Sequence, residues 1–548
     1  MQQSLQGPQE AFYAGQPRPP QKFSSLVDAW HARVERAPDA TAILYFDGAL
    51  TARQVDDESD ALAVGLVSLG VRRGDRVGIY LQNIPQYPLV LLALWKLGAA
   101  ALLLNPMYRR EELRRLVDDS GAIGIICDDH ALDETIDTVD GSSIQWVLST
   151  SSLAYQSRND PRVFKTTVRG TPAKDGDLRD LIERFRGSRP NATQIDGSEI
   201  ALLTYTSGTT GPPKGAMNTH QNLLAVTDSY APWVHLESGD VVFATAPFFH
   251  ITGAVLNATI ALVNECSLVM INRFEPSVAL DAFVEHEVTF TIGSITAFNS
   301  IERLSHASRR HFSSFKALYS GGAPIPPATL ARFRERFGVY IHNVYGMTET
   351  SSAVIAVPLG VDAPIHEQSG TLSIGVPLPH LQARVVSPET GAPVPRGKQG
   401  ELELSGPQVI PGYWDNQAET LSTMPDGRLR TGDGAIMDDD GWVYLVDRLK
   451  DQINTSGYKV WPREVEDVLY QHPAVREAAV VGAPDDYRGE VVVAYVSLVE
   501  SATVRADELI AFARERLAAY KAPRVIHVAS ELPKTQTGKI QRGALRPS

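Results

Sequence analysis

The chain has 548 residues, 43% hydrophobic and 21% charged, with a formal net charge of -13. That is an ordinary globular composition, long enough for roughly three to four domains or subdomains. The acidic balance argues against a nucleic-acid partner, which needs a surplus of Lys and Arg; it leaves room for an anionic small ligand at a locally positive site.

Residues 1–22 are rich in Gln and Pro, with neither a basic start nor an apolar run. They read as a flexible extension, not a secretory leader, and a cytoplasmic protein is expected. From residue 23 the pattern alternates between strand and helix. DRVGIYL (75–81) reads as a buried strand, Tyr87–Leu97 as a buried helix and AAALLL as the next strand. Lys96 and Gly98 divide this apolar stretch, so it is not a membrane span. REELRRLVDDSG is an amphipathic helix closed by Gly121, and AIGIICDD is a strand. Cys127 in that strand and Cys266 in NECSLV sit in apolar surroundings and are expected as buried thiols.

The segment 150–196 is polar and is expected to be an exposed loop. The rhythm resumes with EIALLTY, SLVMINRF, a helix from Pro276 and VTFTIGS, which argues for α/β layers with parallel sheet. After Gly375, Pro and Gly become dense and strands alternate, as in GELELSG and GWVYLVDR, so a β-rich subdomain is expected. From Asp451 the pattern is compact α+β: helix 462–471, strands EAAVVGA and EVVVAYVSLV, helix 505–520 and strand RVIHVAS.

The strongest chemical signal is TYTSGTTGPPKG at 204–215. A buried strand runs into Thr, Ser and Gly and ends in Lys214. Glycines let backbone N–H groups turn toward an anion, hydroxyls add donors and Lys adds charge, which suits a triphosphate. The spacing is not that of the NTPase P-loop.

This segment resembles the signature loop of the adenylate-forming superfamily, which includes acyl-CoA synthetases, firefly luciferase and peptide-synthetase adenylation domains. The resemblance spans about residues 25–546. In order it takes in SGGAP (320–324), YGMTETS (345–351), RTGDG (430–434), DRLKDQINTSGYKVWPREVE (447–466) and PKTQTGKI (533–540). It implies an α/β fold: a large multilayer N-terminal domain with a β-rich subdomain (23–447), a hinge (448–450) turning at Lys450, and a small mobile α+β C-terminal domain (451–548).

The resemblance implies an AMP-forming acid–CoA ligase using ATP, Mg²⁺ and coenzyme A, closest to bacterial fatty-acid–CoA ligases. It places Thr206, Ser207, Gly208, Thr209, Thr210, Gly211 and Lys214 on the phosphates, and Gly321, Gly322, Ala323 and Pro324 against adenine. Tyr345 would stack on the base, and Asp433 and Arg448 would hold the ribose. Thr348 would donate to phosphate, and Glu349, with Thr209, would hold Mg²⁺. Lys539 would neutralise charge at the α-phosphate, where the substrate carboxylate attacks in line. Ser456, Gly457 and Tyr458 would form the pantetheine path.

The implied acid pocket contains His250, Thr252, Val255, Thr296, Val344 and Gly346, with His250 near the carboxylate. FFHITG lacks the acid that a free amino acid substrate would require, since a buried unpaired ammonium is costly. Many fatty-acid and cinnamate-type ligases carry Gly before the Tyr of YGxTE. This chain has Val344, as in benzoate-type ligases. The SGYKVWPREVE segment resembles fatty-acyl ligases, so a medium- or long-chain fatty acid is expected, with aryl or short branched acids as the alternative. The insertion of acyl-AMP ligases that load carrier proteins is not evident, which favours CoA. A non-catalytic nucleotide-binding homologue is opposed by Thr348, Glu349, Arg448 and Lys539; a luciferase-like oxygenase stays formally open. Partners are small molecules, with room for peripheral membrane contact and a homo-oligomer.

Overall fold

A computed structural model describes residues 22–206, 213–367, 370–448, 451–455, 458–485, 488–500, 502–535 and 540–546. Among these residues the strands form four sheets, of six, nine, four and five strands. The six-stranded sheet holds Arg76–Tyr80 between Ala100–Leu103 and Gly124–Asp128, all parallel. It ends in strand β1 (Ile200–Thr206), parallel to Ala100–Leu103, and strand β2 (Lys214–Thr219), antiparallel to β1. The core strand–helix–strand reading thus holds. The helix Arg110–Ser120 ends at Gly121, whose φ of 59° is left-handed and suits glycine.

The nine-stranded sheet contains β3 (Val241–Phe243), β4 (Phe290–Gly293), β5 (Ala317–Ser320) and β6 (His342–Met347), adjacent and parallel in that order. Strand β7 (Ser352–Ala356) turns back antiparallel on β6. One continuous apolar core joins residues of both sheets, among them Val77, Leu202, Val242 and Ile292. Helix Gln86–Leu97 is buried on every face inside it, which explains its unbroken apolar run. Cys127 and Cys266 are both buried and free, and burial pushes each thiol up to about 12.

The Pro/Gly-rich region forms the four-stranded antiparallel sheet, including β8 (Leu429–Met437) and β9 (Val443–Arg448). The five-stranded sheet begins at Ile453 and carries helix Pro462–Tyr470. Among the described residues no helix is long and apolar enough to cross a membrane.

Two expectations need correction. The segment 150–196 is not simply an exposed loop. It buries Leu153, Ala154 and Phe164 and forms helix Leu178–Arg184, capped by Asp177. Leu178, Leu181 and Ile182 have helical spacing, a stripe that the polar composition hid. The helix expected at 505–520 covers only Ala506–Arg514, where its buried pair Leu509 and Ala513 ends.

Helix α1 (His220–Trp233) begins with a fully buried histidine edge-on to Trp95. Among the described residues neither ring nitrogen of His220 has a hydrogen-bond partner, and burial lowers its pKa to about 4 against the weaker pull of Glu199 and Asp28. The folded state therefore binds this proton less readily than the unfolded chain. The contribution is fully present above about pH 6.5 and is lost as pH falls toward 4, by roughly 3 kcal/mol. His220→Phe keeps the ring packing and removes the proton site. Denaturant unfolding of both proteins between pH 7 and 4 is expected to show the variant gaining on the parent as pH falls. A constant difference would mean that His220 is not neutral in the fold.

Candidate active site

Strands β3 to β6 are parallel neighbours, so their carboxyl ends lie along one edge of the sheet. Ligands in open α/β sheets bind outside that edge. The chain leaving β3 leads to His250. The chain leaving β4 leads to Thr296, near the start of helix α2 (Ile295–Glu302). Gly321–Pro324 follow β5 directly. Val344, Tyr345 and Gly346 are the last part of β6, with Thr348 and Glu349 in the turn after it. Sites scattered over a hundred residues of sequence thus share one rim.

The nucleotide-side groups are partly assembled. A Cβ at Gly321 would lie 2.6 Å from the Val344 carbonyl oxygen, so glycine permits β5 and β6 to approach there. Gly322 and Pro324 are exposed, and Ala323 is half-buried. The Tyr345 hydroxyl donates to the Asp433 carboxylate at 2.7 Å, linking β6 to β8. In the ladder between β8 and β9, Asp433 stands opposite Arg448. Three of the expected base- and ribose-binding positions therefore lie together.

The turn after β6 is strained. Ser351 and Ser352 have φ of 52° and 104°, a backbone region that non-glycine residues enter at a cost. It is pinned from β2, where the Asn218 amide donates to the Thr348 carbonyl at 2.9 Å and to the Ser351 hydroxyl at 3.0 Å. Ile410 N–H donates to the Glu349 carbonyl at 2.9 Å. The Glu349 carboxylate, only 7% exposed, accepts from the Tyr413 hydroxyl at 2.7 Å. Burial and the Glu349 charge push the Tyr413 phenol well up, so it remains a donor.

Thr206 and Lys214 pair across the ends of β1 and β2. Lys214 forms an ion pair with Glu419 on helix α3 (Gln417–Thr423). Gly215 accepts from Trp414 N–H at 2.7 Å, and Met217 N–H donates to Gly412 at 3.2 Å. Strand β2 therefore connects the lysine, the Thr348 turn and the segment 412–414.

A carboxylate of this kind fits Mg²⁺, a hard cation that takes oxygen ligands and usually binds through one or two carboxylates plus substrate phosphates. Among the described residues no group of three or more His, Cys, Asp or Glu could hold a metal by itself.

On the side expected to take the acid, His250 N-caps Ile251–Gly253, its Nδ1 accepting from Thr252 N–H at 3.4 Å. A neutral ring in this arrangement carries its proton on Nε2. The chain then forms a π-helical turn, Ala254–Thr259, a form that frequently marks functional sites. Val255 is fully buried and Val344 is 4% exposed, while Thr252, Thr296 and Gly346 are half-buried. The Val344 side chain faces Gly321: its Cγ1 would lie 3.0 Å from a Cβ there.

Val344→Gly is expected to open the acid side to longer or bulkier acids. The shift in relative kcat/KM should be about 1–3 kcal/mol, with the KM for ATP unchanged. Competition kinetics on paired acids would measure it. An unchanged profile would make Val344 a packing residue only.

Several expected site residues lie outside the described residues: Ser207, Gly208, Thr209, Thr210, Gly211, Lys450, Ser456, Gly457 and Lys539. For Arg448 and Tyr458 the backbone is described and the side chain is not. The sequence reading missed Asn218, Tyr413 and Glu419. PGYW at 411–414 was a visible signal, a Tyr beside Gly and Pro in a region otherwise read only as β-rich.

Comparison with known proteins gives a consistent picture. Residues 30–414 match the model of the AMP-binding enzyme family, and residues 464–539 match the AMP-binding enzyme C-terminal domain. A long-chain-fatty-acid–CoA ligase of Bacillus subtilis is 36% identical over 524 residues, covering 93% of this chain and 92% of its own length. A feruloyl-CoA synthase of an Amycolatopsis species is 33% identical over 522 residues, covering 95% and 98%. Among solved structures, an anthranilate CoA ligase in complex with anthranoyl-AMP superposes with a TM-score of 0.85 at 27% identity, covering 96% of this chain and 97% of that one.

Proposed function

Starting from the fact that this chain belongs to the AMP-binding enzyme family, we propose that its acid substrate is a medium- or long-chain fatty acid. The reaction is that of an AMP-forming acid–CoA ligase: ATP and the acid give acyl-adenylate and pyrophosphate, then CoA displaces AMP to give acyl-CoA. ATP, Mg²⁺ and CoA are the cofactors. Mg²⁺ supplies charge neutralisation on the phosphates when bound.

The roles of individual residues in this proposal follow the rim of the sheet. Tyr345 and Asp433 take base and ribose, with Arg448 opposite. Thr348 donates to phosphate, and Glu349, oriented by Tyr413, presents the metal-binding carboxylate. Lys214 and the segment 206–211 hold the β- and γ-phosphates. Lys539 neutralises the α-phosphate. His250, Thr252, Val255, Thr296, Val344 and Gly346 face the acid. Residues 23–447 form the nucleotide-binding domain, 448–450 the hinge and 451–548 the domain that carries Lys539 and the CoA path at Ser456–Tyr458. A cytoplasmic location is part of the same proposal.

The observation that carries the acid assignment is the 36% identity to a long-chain-fatty-acid–CoA ligase over 93% of the chain. A second reading, an aryl acid, is favoured by the feruloyl-CoA synthase relative and by the branched Val344 beside Gly321. A panel of acids from benzoate to palmitate, scored by CoA-dependent AMP formation, separates the two. Highest kcat/KM on octanoate to palmitate supports the proposal; highest kcat/KM on benzoates or cinnamates overturns it.

A further inference from the structure

Lys214 is not waiting with a bare charge. Its ammonium is held by the Glu419 carboxylate, which also accepts from the Thr423 hydroxyl at 3.1 Å. Glu419 is fixed in turn by helix α3, where the Asn416 side chain caps its backbone N–H at 3.1 Å. The Lys214 ammonium lies 5.6 Å from the centre of the Tyr413 ring, and the hydroxyl of that ring holds Glu349. A cation needed by the phosphates is thus already neutralised, and Tyr413 stands between it and the metal-binding carboxylate.

A carboxylate and a triphosphate compete for one ammonium. With the phosphates in place, Glu419 would face like charge and lose its partner. With them gone, it regains the ion pair. We propose that Glu419 is an internal competitor for Lys214, which surrenders the lysine when ATP binds and reclaims it as pyrophosphate leaves. The exchange involves no covalent step. Its effect is to weaken triphosphate binding and to speed product departure, keeping adenylation from stalling on bound pyrophosphate. The proposal rests on the assignment of Lys214 to the phosphates.

The sign of the effect makes it testable. Glu419→Gln keeps the side-chain size and the hydrogen bonds of the helix cap, and removes the charge. Calorimetric titration with magnesium pyrophosphate is expected to show about 5–10-fold tighter binding, near 1–1.4 kcal/mol. Stopped-flow release of pyrophosphate should slow by a similar factor. In a Lys214→Met background, where no ammonium is left to release, the same substitution should have a clearly smaller effect on both quantities, the remainder being plain like-charge repulsion. A merely structural role for Glu419 cannot produce tighter binding, so weaker or unchanged binding in Glu419→Gln overturns the proposal. If Lys214→Met alone leaves pyrophosphate binding unchanged, the assignment of Lys214 to the phosphates fails instead.

Discussion

Lys539→Ala is expected to slow acyl-adenylate formation by a factor of ~100 or more, equivalent to about 2.7 kcal/mol. The attacking carboxylate and the α-phosphate are both anionic, and the charge building on the transferring phosphorus needs a cation positioned for it. Among the described residues Lys214 is the lysine of this site, paired with Glu419, and the proposal assigns it to the β- and γ-phosphates, leaving the α-phosphate to Lys539. The second half-reaction has no such need. Thioester formation from supplied acyl-adenylate should therefore proceed at close to the parent rate. Single-turnover assays of each half-reaction decide the point, and equal losses in both would show that Lys539 supports the fold or the domain arrangement instead of the phosphate.

Lys450→Pro should abolish acyl-CoA turnover while sparing adenylation. On the proposed roles the two half-reactions have conflicting needs, since Lys539 reaches the α-phosphate in one and the pantetheine thiol must reach the acyl carbonyl in the other. Rotation at the proposed hinge would reconcile them, and it would require a residue free to change its backbone angles. Proline fixes φ near about -65° and removes that freedom. The structure identifies contacts that a rotation must break. Trp461 is buried with Ile436 and Val446 of the β-rich sheet, and the Arg463 guanidinium reaches the Ile325 carbonyl just beyond SGGAP at 3.5 Å. The variant is expected to release one burst of pyrophosphate and accumulate bound acyl-adenylate. Parent-level acyl-CoA synthesis would place the hinge elsewhere or dispense with rotation.

The fold was legible wherever periodicity and punctuation agreed. Arg110–Ser120 shows this well: an apolar stripe, charges opposite and Gly121 to stop it. Helix Leu178–Arg184 was not, because three apolar residues in a polar segment give too short a pattern. The stretches expected to bind nucleotide were visible because Gly, Ser and Thr lie contiguously in them, as in TYTSGTTGPPKG. Tyr413 and Glu419 were not. They act on Glu349 and Lys214 from 64 and 205 residues away, and such pairing leaves no local spacing to read.

The π-helical turn at Ala254–Thr259 makes this segment tolerant of losing a residue. Such a turn holds one residue more than an α-helical turn, and the Thr259 hydroxyl reaches back to the Ala254 carbonyl at 2.8 Å to close it. Losing a single residue there would let the backbone relax to an ordinary helix without breaking it. Each residue of an α-helix advances about 100° around the axis. A swing by that angle would follow deletion from a regular α-helix; here the turn already absorbs its extra residue, so His250 and Thr252 on its near side would keep their facing relative to Ile260–Leu262, which are buried in the core. One codon deleted at this position would thus remove the bulge and leave the flanking helix in register, a change confined to Ala254–Thr259.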